Sequence, residues 1–263
     1  MKARKRFGQH FLERPWVERL VEAIDPHPDE IFLEIGPGRG ALTQALLDRG
    51  ATVHAVEIDR DLAAGLTTSP HPRLHVHVGD FLEMPDSTWW DGARQYRVAA
   101  NLPYNLSTPI LLRLLDLGRR GILRDATLML QREVVDRTVA TAGTRAYGPL
   151  AIAVALDAAA ERLFTLPPGA FRPPPAVHSA VVRFVFRPTD VDVGDRVAFD
   201  TLVRRLFTVR RKTLGRALRD TVEPRAAVVS AWLDAAGLSA EVRAEMLDVA
   251  TLARLARTRP DPQ

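Results

Sequence analysis

None of the 263 residues is cysteine. Disulfides, thiolate zinc sites, cysteine-held iron–sulfur clusters and thiol nucleophiles therefore lie outside the chain's chemistry. Lysine is nearly as scarce, since only Lys2, Lys5 and Lys212 stand among the 36 basic residues. The formal charge of +4 is thus carried by arginine, whose planar, permanently charged guanidinium matches phosphate oxygens. A polyanionic partner is allowed, and an arginine-rich solvated surface is the plain alternative. Long apolar runs are missing too. No stretch approaches the roughly 18 residues a membrane span needs, and the basic start MKARKRFGQHFLERPW has no apolar signal-peptide core. The expectation is a soluble, cytoplasmic chain with no membrane partner. The remaining composition, 46% hydrophobic and 26% charged, is globular, over a length that suits one large domain or two small ones.

Residues 31 to 60 read as a βαβ unit: the apolar run Ile31 to Ile35, the turn Gly36-Pro37-Gly38-Arg39-Gly40, helical spacing at Leu42, Ala45 and Leu46, then a strand from Thr52 to Glu57. Further strands are predicted at His75 to Val78, Val98 to Asn101 and Thr127 to Gln131, with a helix from Ser107 to about Leu117. This alternation predicts an α/β, mainly parallel, doubly wound sheet. Leu150 to Leu166 fits helix or strand, the Pro173-Pro174-Pro175 run fits neither, and Ser179 to Phe186 reads as the sheet's last edge strand. Residues 187 to 195 suit a linker. Beyond them Leu202, Leu206, Leu214, Leu218, Val228, Val229, Trp232 and Leu233 recur at helical spacing. The expected division is an α/β domain over residues 1–187 and a small helical domain over 188–263.

The glycines at 36, 38 and 40 lack the wider final gap of the dinucleotide fingerprint, yet they still permit close backbone approach to a ligand. Glu57, at the next strand's end, is placed to accept hydrogen bonds from ribose hydroxyls. Asp80 follows the third strand and could accept an adenine amine or simply cap the next turn. Asn101-Leu102-Pro103-Tyr104 follows the fourth. In an open α/β sheet these strand ends share one crevice. An amine conjugated to an aromatic ring is a poor nucleophile, so a catalyst must hold it with acceptors that turn its lone pair out of the ring plane. The Asn101 side-chain oxygen and the Leu102 carbonyl suit that task, Pro103 fixes the backbone, and Tyr104 offers a face for a flipped-out base. No metal site is expected; His75 and His77 read as ordinary strand residues.

These residues resemble a known family. Phe7-Gly8-Gln9-His10-Phe11-Leu12, Leu33 to Gly38, Val56 to Asp59, Gly79-Asp80, Asn101 to Pro109, Leu130 to Val134 and Phe171 to Pro175 are similar to successive motifs of the ribosomal RNA adenine N6,N6-dimethyltransferases, and the likeness resumes at Arg210 to Leu214 and Arg243 to Glu245. The resemblance implies a Rossmann-like class I methyltransferase sheet with a helical RNA-binding tail. It implies S-adenosyl-L-methionine as methyl donor, held at His10, Leu12, Gly36, Gly38, Glu57, Asp80 and Asn101, with Asn101, Leu102, Tyr104 and Phe171 at the reacting base. The implied target is two adjacent adenines in small-subunit ribosomal RNA, free or in an immature subunit, modified by a monomer. His10 stands where many members carry asparagine. The absent cysteines agree, because methylation at nitrogen by direct displacement needs neither thiol nor cluster.

Phe171 precedes a rigid proline run and could close over the base opposite Tyr104, or could be a core residue. The basic residues Arg204, Arg205, Arg210, Arg211 and Lys212, with Arg216 and Arg219 near them, suit RNA binding or a solvated helix face. Two further functions compete: an Erm-type methyltransferase of large-subunit RNA, and an RNA-binding assembly factor in which methylation is secondary.

Overall fold

The computed structural model describes residues 10–68, 70–187 and 189–260; Phe7-Gly8-Gln9 of the first motif lies outside them. The chain divides into two compact units, one of the residues up to Val135 with Asp157–Arg187, the other of Asp136–Leu156 with the residues after Arg187. The segment 136–156, assigned to the first domain by sequence reading, thus belongs with the C-terminal helices. Its apolar residues Tyr147, Ala151, Ile152 and Leu156 are buried in the helical core.

The first unit begins with a short strand β1 (Phe11–Leu12) and helix α1 (Arg14–Ile24). It continues through β2 (Ile31–Ile35), α2 (Ala41–Asp48), β3 (Thr52–Glu57), α3 (Arg60–Leu66), β4 (Leu74–Val78), β5 (Tyr96–Asn101), α4 (Ser107–Arg119) and β6 (Leu123–Gln131). Helices α5 (Arg132–Thr138) and α6 (Pro149–Asp157) precede β7 (Ala158–Leu166), β8 (Phe171–Arg172) and β9 (Ser179–Phe186). The ambiguous stretch from Leu150 to Leu166 is therefore both, helix α6 turning directly into strand β7.

Seven strands form the main sheet in the order β4-β3-β2-β5-β6-β9-β7. Neighbours from β4 to β6 are parallel, and β9 and β7 add antiparallel. Ser179 to Phe186 is consequently not the edge: it lies between β6 and β7, and β7 takes the outer position. All five residues of β2 are buried, as a central parallel strand covered on both faces requires. The chain runs from β2 outward to β3 and β4, then returns to the other side of β2 with β5. That reversal places a crevice at the carboxyl ends of β2, β3 and β5. A separate ribbon pairs β1 with β8, Phe11 opposite Arg172 and Leu12 opposite Phe171.

In the second unit, α7 (Arg196–Thr208), α8 (Leu214–Thr221), α9 (Ala226–Ala236) and α10 (Val249–Arg257) bury Leu202, Leu206, Leu214, Leu218, Val229, Trp232 and Leu233. Asp195 and Asp248 cap α7 and α10 with side-chain bonds to the Ala198 and Thr251 amides, satisfying donors that a helix start leaves open. The Trp232 indole donates to the Leu255 carbonyl at 2.7 Å, so this large ring is buried with its polar atom paired.

Candidate active site

A cavity of about 350 Å³ opens where the topology predicts it, lined by the ends of β2, β3 and β5 and by the segment from His10 to Arg14. Its floor is the glycine turn. Gly36 and Gly38 take φ of +69° and +61°, the left-handed region that glycine enters without a Cβ penalty. A Cβ on Gly38 would stand 3.1 Å from the Phe11 ring, whereas the space over Gly36 is open, leaving its backbone approachable. Glu57 is 4% exposed; its Oε2 accepts from the Gly38 amide and its Oε1 from the Asp59 amide, both at 2.9 Å. Burial pushes its carboxyl above the usual range, against these bonds. Each carboxylate oxygen keeps a further acceptor site, enough for a pair of ribose hydroxyls.

The Asn101 loop forms the opposite wall. Asn101 Nδ2 donates to the His10 carbonyl at 2.9 Å, which fixes the amide and leaves Oδ1 as its acceptor end. Leu102 is buried and its amide donates to the Met129 carbonyl, tying the loop to β6. Tyr104 is half-buried, with its hydroxyl 2.5 Å from Ser179 Oγ on β9. The His10 ring stacks on it at 5.7 Å between centroids. His10 Nδ1 lies 2.8 Å from the Pro173 carbonyl, an acceptor, so Nδ1 carries the proton.

The structure thus brings His10, Leu12, Gly36, Gly38, Glu57, Asn101, Leu102 and Tyr104 together around one cavity. Asp80 follows the end of β4 but is not among the lining residues; its Oδ1 accepts from the Leu82 amide at 2.9 Å, the turn-capping alternative. Phe171 corrects the expectation of base stacking. The ring is fully buried in a core with Val17, Leu20, Ala170 and Val181, because the β1–β8 ribbon turns it inward while the next residue, Arg172, lines the cavity. Sequence reading overlooked Glu34, Arg39 and Ile58, which also line it. Glu34 had a legible signal, a charge inside an otherwise apolar strand.

In the second unit, Arg204, Arg205, Arg211 and Lys212 are exposed, but some of the cluster's charge is spent locally. Arg210 Nε bonds Glu245 at 2.7 Å, and Lys212 bonds Asp220 at 2.5 Å.

A family profile described as ribosomal RNA adenine dimethylase matches residues 1–257. A protein named ribosomal RNA small subunit methyltransferase A from Xanthomonas campestris pv. campestris strain 8004 is 44% identical over 258 residues, 97% of this chain and 95% of that protein. A protein of the same name from Xanthomonas oryzae pv. oryzae strain PXO99A is 43% identical over 262 residues, 98% of this chain and 97% of that one. Among solved structures, a dimethyladenosine transferase from Plasmodium falciparum superposes with a TM-score of 0.76 at 24% identity, over 94% of this chain and 96% of that one, a likeness of fold alone. The 23S rRNA methyltransferase ErmE superposes with a TM-score of 0.65 at 26% identity, over 95% and 99%. Profile and relatives span nearly the whole of the described structure, and the chain belongs to the ribosomal RNA adenine dimethylase family.

Proposed function

We propose that this protein transfers methyl groups from S-adenosylmethionine to the N6 amines of two adjacent adenines in a hairpin of small-subunit ribosomal RNA, during maturation of that subunit. The carrying observation is the clamped Asn101 amide: with Nδ2 held by the His10 carbonyl at 2.9 Å, Oδ1 is a preset acceptor in a cavity that Glu57 and the glycine turn also line.

The donor, when bound, supplies a methyl group on a sulfonium, activated for direct displacement. Glu57 and the open backbone of Gly36 would hold its nucleoside end, the carboxylate choosing hydroxyls and disfavouring a phosphate. Asn101 Oδ1 and the Leu102 carbonyl would accept from the two amine hydrogens of adenine, pointing the nitrogen lone pair at the methyl. Orientation within about 3–3.5 Å is the main catalytic term for such a transfer. Tyr104, steadied by Ser179, presents a ring on which the extruded base can stack, worth roughly 1–3 kcal/mol. The amine proton leaves to water. Exposed Arg204, Arg205, Arg211 and Lys212 of the second unit, with Arg210, would meet RNA phosphates.

The small-subunit target is supported by relatives at 43–44% identity that bear that name, against 26% for the large-subunit enzyme ErmE. Mapping N6,N6-dimethyladenine in ribosomal RNA from cells with and without the gene tests the proposal. Loss of an adjacent pair from small-subunit RNA is expected, and loss from large-subunit RNA would favour the Erm-type reading. Growth defects rescued by an Asn101→Ala protein would instead favour the assembly-factor reading.

A further inference from the structure

Glu34 lies inside β2, is 2% exposed, and lines the cavity. Its Oε2 accepts from Thr43 Oγ1 on α2 at 2.6 Å, and no lysine or arginine pairs with it among the described residues. The second buried carboxylate of the cavity, Glu57, ends the neighbouring strand β3. The other charged groups of the lining are engaged elsewhere. Arg14 bonds Glu18 at 3.0 Å, Arg172 pairs with Glu13 at 3.1 Å, and Arg39 lies over the Phe11 ring at 4.2 Å. His10 is turned to the Pro173 carbonyl and the Tyr104 phenol is neutral, held above its usual range by burial. Desolvation, with the Glu57 charge adding to it against the Thr43 bond, pushes the Glu34 carboxyl up to about 8. In the protein alone at neutral pH, this cavity therefore keeps a neutral acid in its wall.

The methyl donor and its product share every part except one: the donor carries a sulfonium cation, the product a neutral thioether. We infer that Glu34 is the group by which the cavity distinguishes them, giving its proton to solvent when the cationic donor enters and taking one back once the methyl has gone. A cation brought beside a carboxyl buried in the cavity wall favours its ionised form, and linkage requires the converse, that ionised Glu34 favours the cation. The ammonium that both ligands carry acts on either complex, and the product's uncharged thioether adds nothing to it. Two methylations of one adenine require product to give way to donor between them, so a site that relaxes its hold when the charge disappears assists the exchange. This inference rests on the donor site proposed above.

Calorimetric titration of the full-length protein with S-adenosylmethionine and with S-adenosylhomocysteine, in buffers of different ionisation enthalpy between pH 6 and 8, counts the protons released. The sulfonium lowers the donor's own ammonium relative to the product's, so the ligands' share is taken from the same titrations on Glu34→Gln and subtracted. At pH 7 the donor is expected to release close to one proton more than the product. The donor-to-product affinity ratio should climb by up to about tenfold per pH unit below pH 8. In Glu34→Gln, which keeps the size and an acceptor for Thr43, the donor's excess proton release should disappear and the affinity ratio should keep only the pH dependence of the ligands' own amines. A donor-minus-product proton count that is the same in wild type and Glu34→Gln overturns the inference, and so does an unchanged pH dependence in a folded Glu34→Gln. Failure of the wild type to bind either ligand would remove the donor site itself, and the inference with it.

Discussion

Glu57 has both carboxylate oxygens on backbone amides, Gly38 and Asp59, so it shapes the glycine turn as well as offering acceptors to a ligand. Replacing it by alanine removes two charge-assisted acceptors, each worth about 1.5–3 kcal/mol less solvent compensation, and should weaken S-adenosylmethionine by roughly 2–4 kcal/mol in calorimetric titration. Unchanged affinity would reduce Glu57 to a turn-former. Asn101→Ala makes the complementary separation. It should leave RNA affinity nearly intact and lower single-turnover methyl transfer by about 10²-fold or more, because the lost contact matters chiefly as the amine reacts. Wild-type transfer in that variant would refute the role given to Oδ1. Phe171 behaves differently from its neighbours in the motif. With its ring fully buried, Phe171→Ala should cost roughly 3–5 kcal/mol of stability, seen as a lower melting temperature, while the folded fraction transfers methyl at close to the normal rate. A stable variant with a collapsed rate would restore the stacking role.

At the scale of elements, the parallel strands carry charge at both ends for different purposes. At their amino ends Arg97 of β5 bonds Asp125 of β6 at 3.0 Å and Glu30 at 2.7 Å, and takes the Ile24 and Asp25 carbonyls behind α1. Burial opposes charge on Glu30, yet bonds from the His27 amide and the Arg124 and Arg97 guanidiniums hold it down at about 2. At their carboxyl ends lies the cavity with its less compensated acids. The outer pair β3 and β4 sets His54 against His75, tilted at 4.6 Å between centroids, and stacks it with His77 at 5.4 Å. Burial first, then the charges these two neighbours would carry, push His54 down to about 4. Its folded value lies below the ordinary 6.5, so the unfolded chain binds the extra proton, and the stability it supports is lost as pH falls from 6.5 to 4. Glu34 titrates in the opposite sense between 4.5 and 8, so comparison with His54→Asn at each pH isolates the histidine. The wild type should lose about 1–2 kcal/mol relative to the variant across that window, after discounting for the partly exposed ring. Parallel chemical-denaturation curves that never converge or diverge with pH would exclude it.

For the molecule as a whole, the second unit contributes an arginine-rich surface on a helical core that buries Phe199, Leu206, Leu218 and Trp232. Arg211 is exposed and has no side-chain partner among the described residues, whereas Lys212 already holds Asp220. Reversing both to glutamate should weaken RNA binding and flatten its salt dependence by up to about one unit of slope per phosphate contact removed. Arg211 should dominate, since Lys212 must first leave its carboxylate. A salt slope that stays put in filter-binding or fluorescence titrations would move the RNA to another face.

Much of this protein follows from local rules that a sequence carries by itself. The turn at Gly36-Pro37-Gly38 needs glycine at 36 and 38, β2 needs a run that is apolar but for Glu34, and the helical tail repeats its leucines every three or four positions; each depends only on neighbours a few residues away. The convergence of Gly36, Glu57 and Asn101 was legible for the same reason, since parallel strands joined by right-handed crossovers must gather their carboxyl ends. What only the tertiary structure decided depends on partners far along the chain. Phe171 became core because it pairs with Leu12 in a ribbon closed over more than a hundred and fifty residues, Ser179 to Phe186 became an inner strand because Ala158–Leu166 adds outside it, and 136–156 joined the helices because their apolar faces needed cover. Glu34 shows the boundary between the two. Its charge within an apolar strand is visible in the sequence, but its proton depends on desolvation and on the Glu57 carboxylate, and both are set only when β2 and β3 lie side by side in the closed sheet.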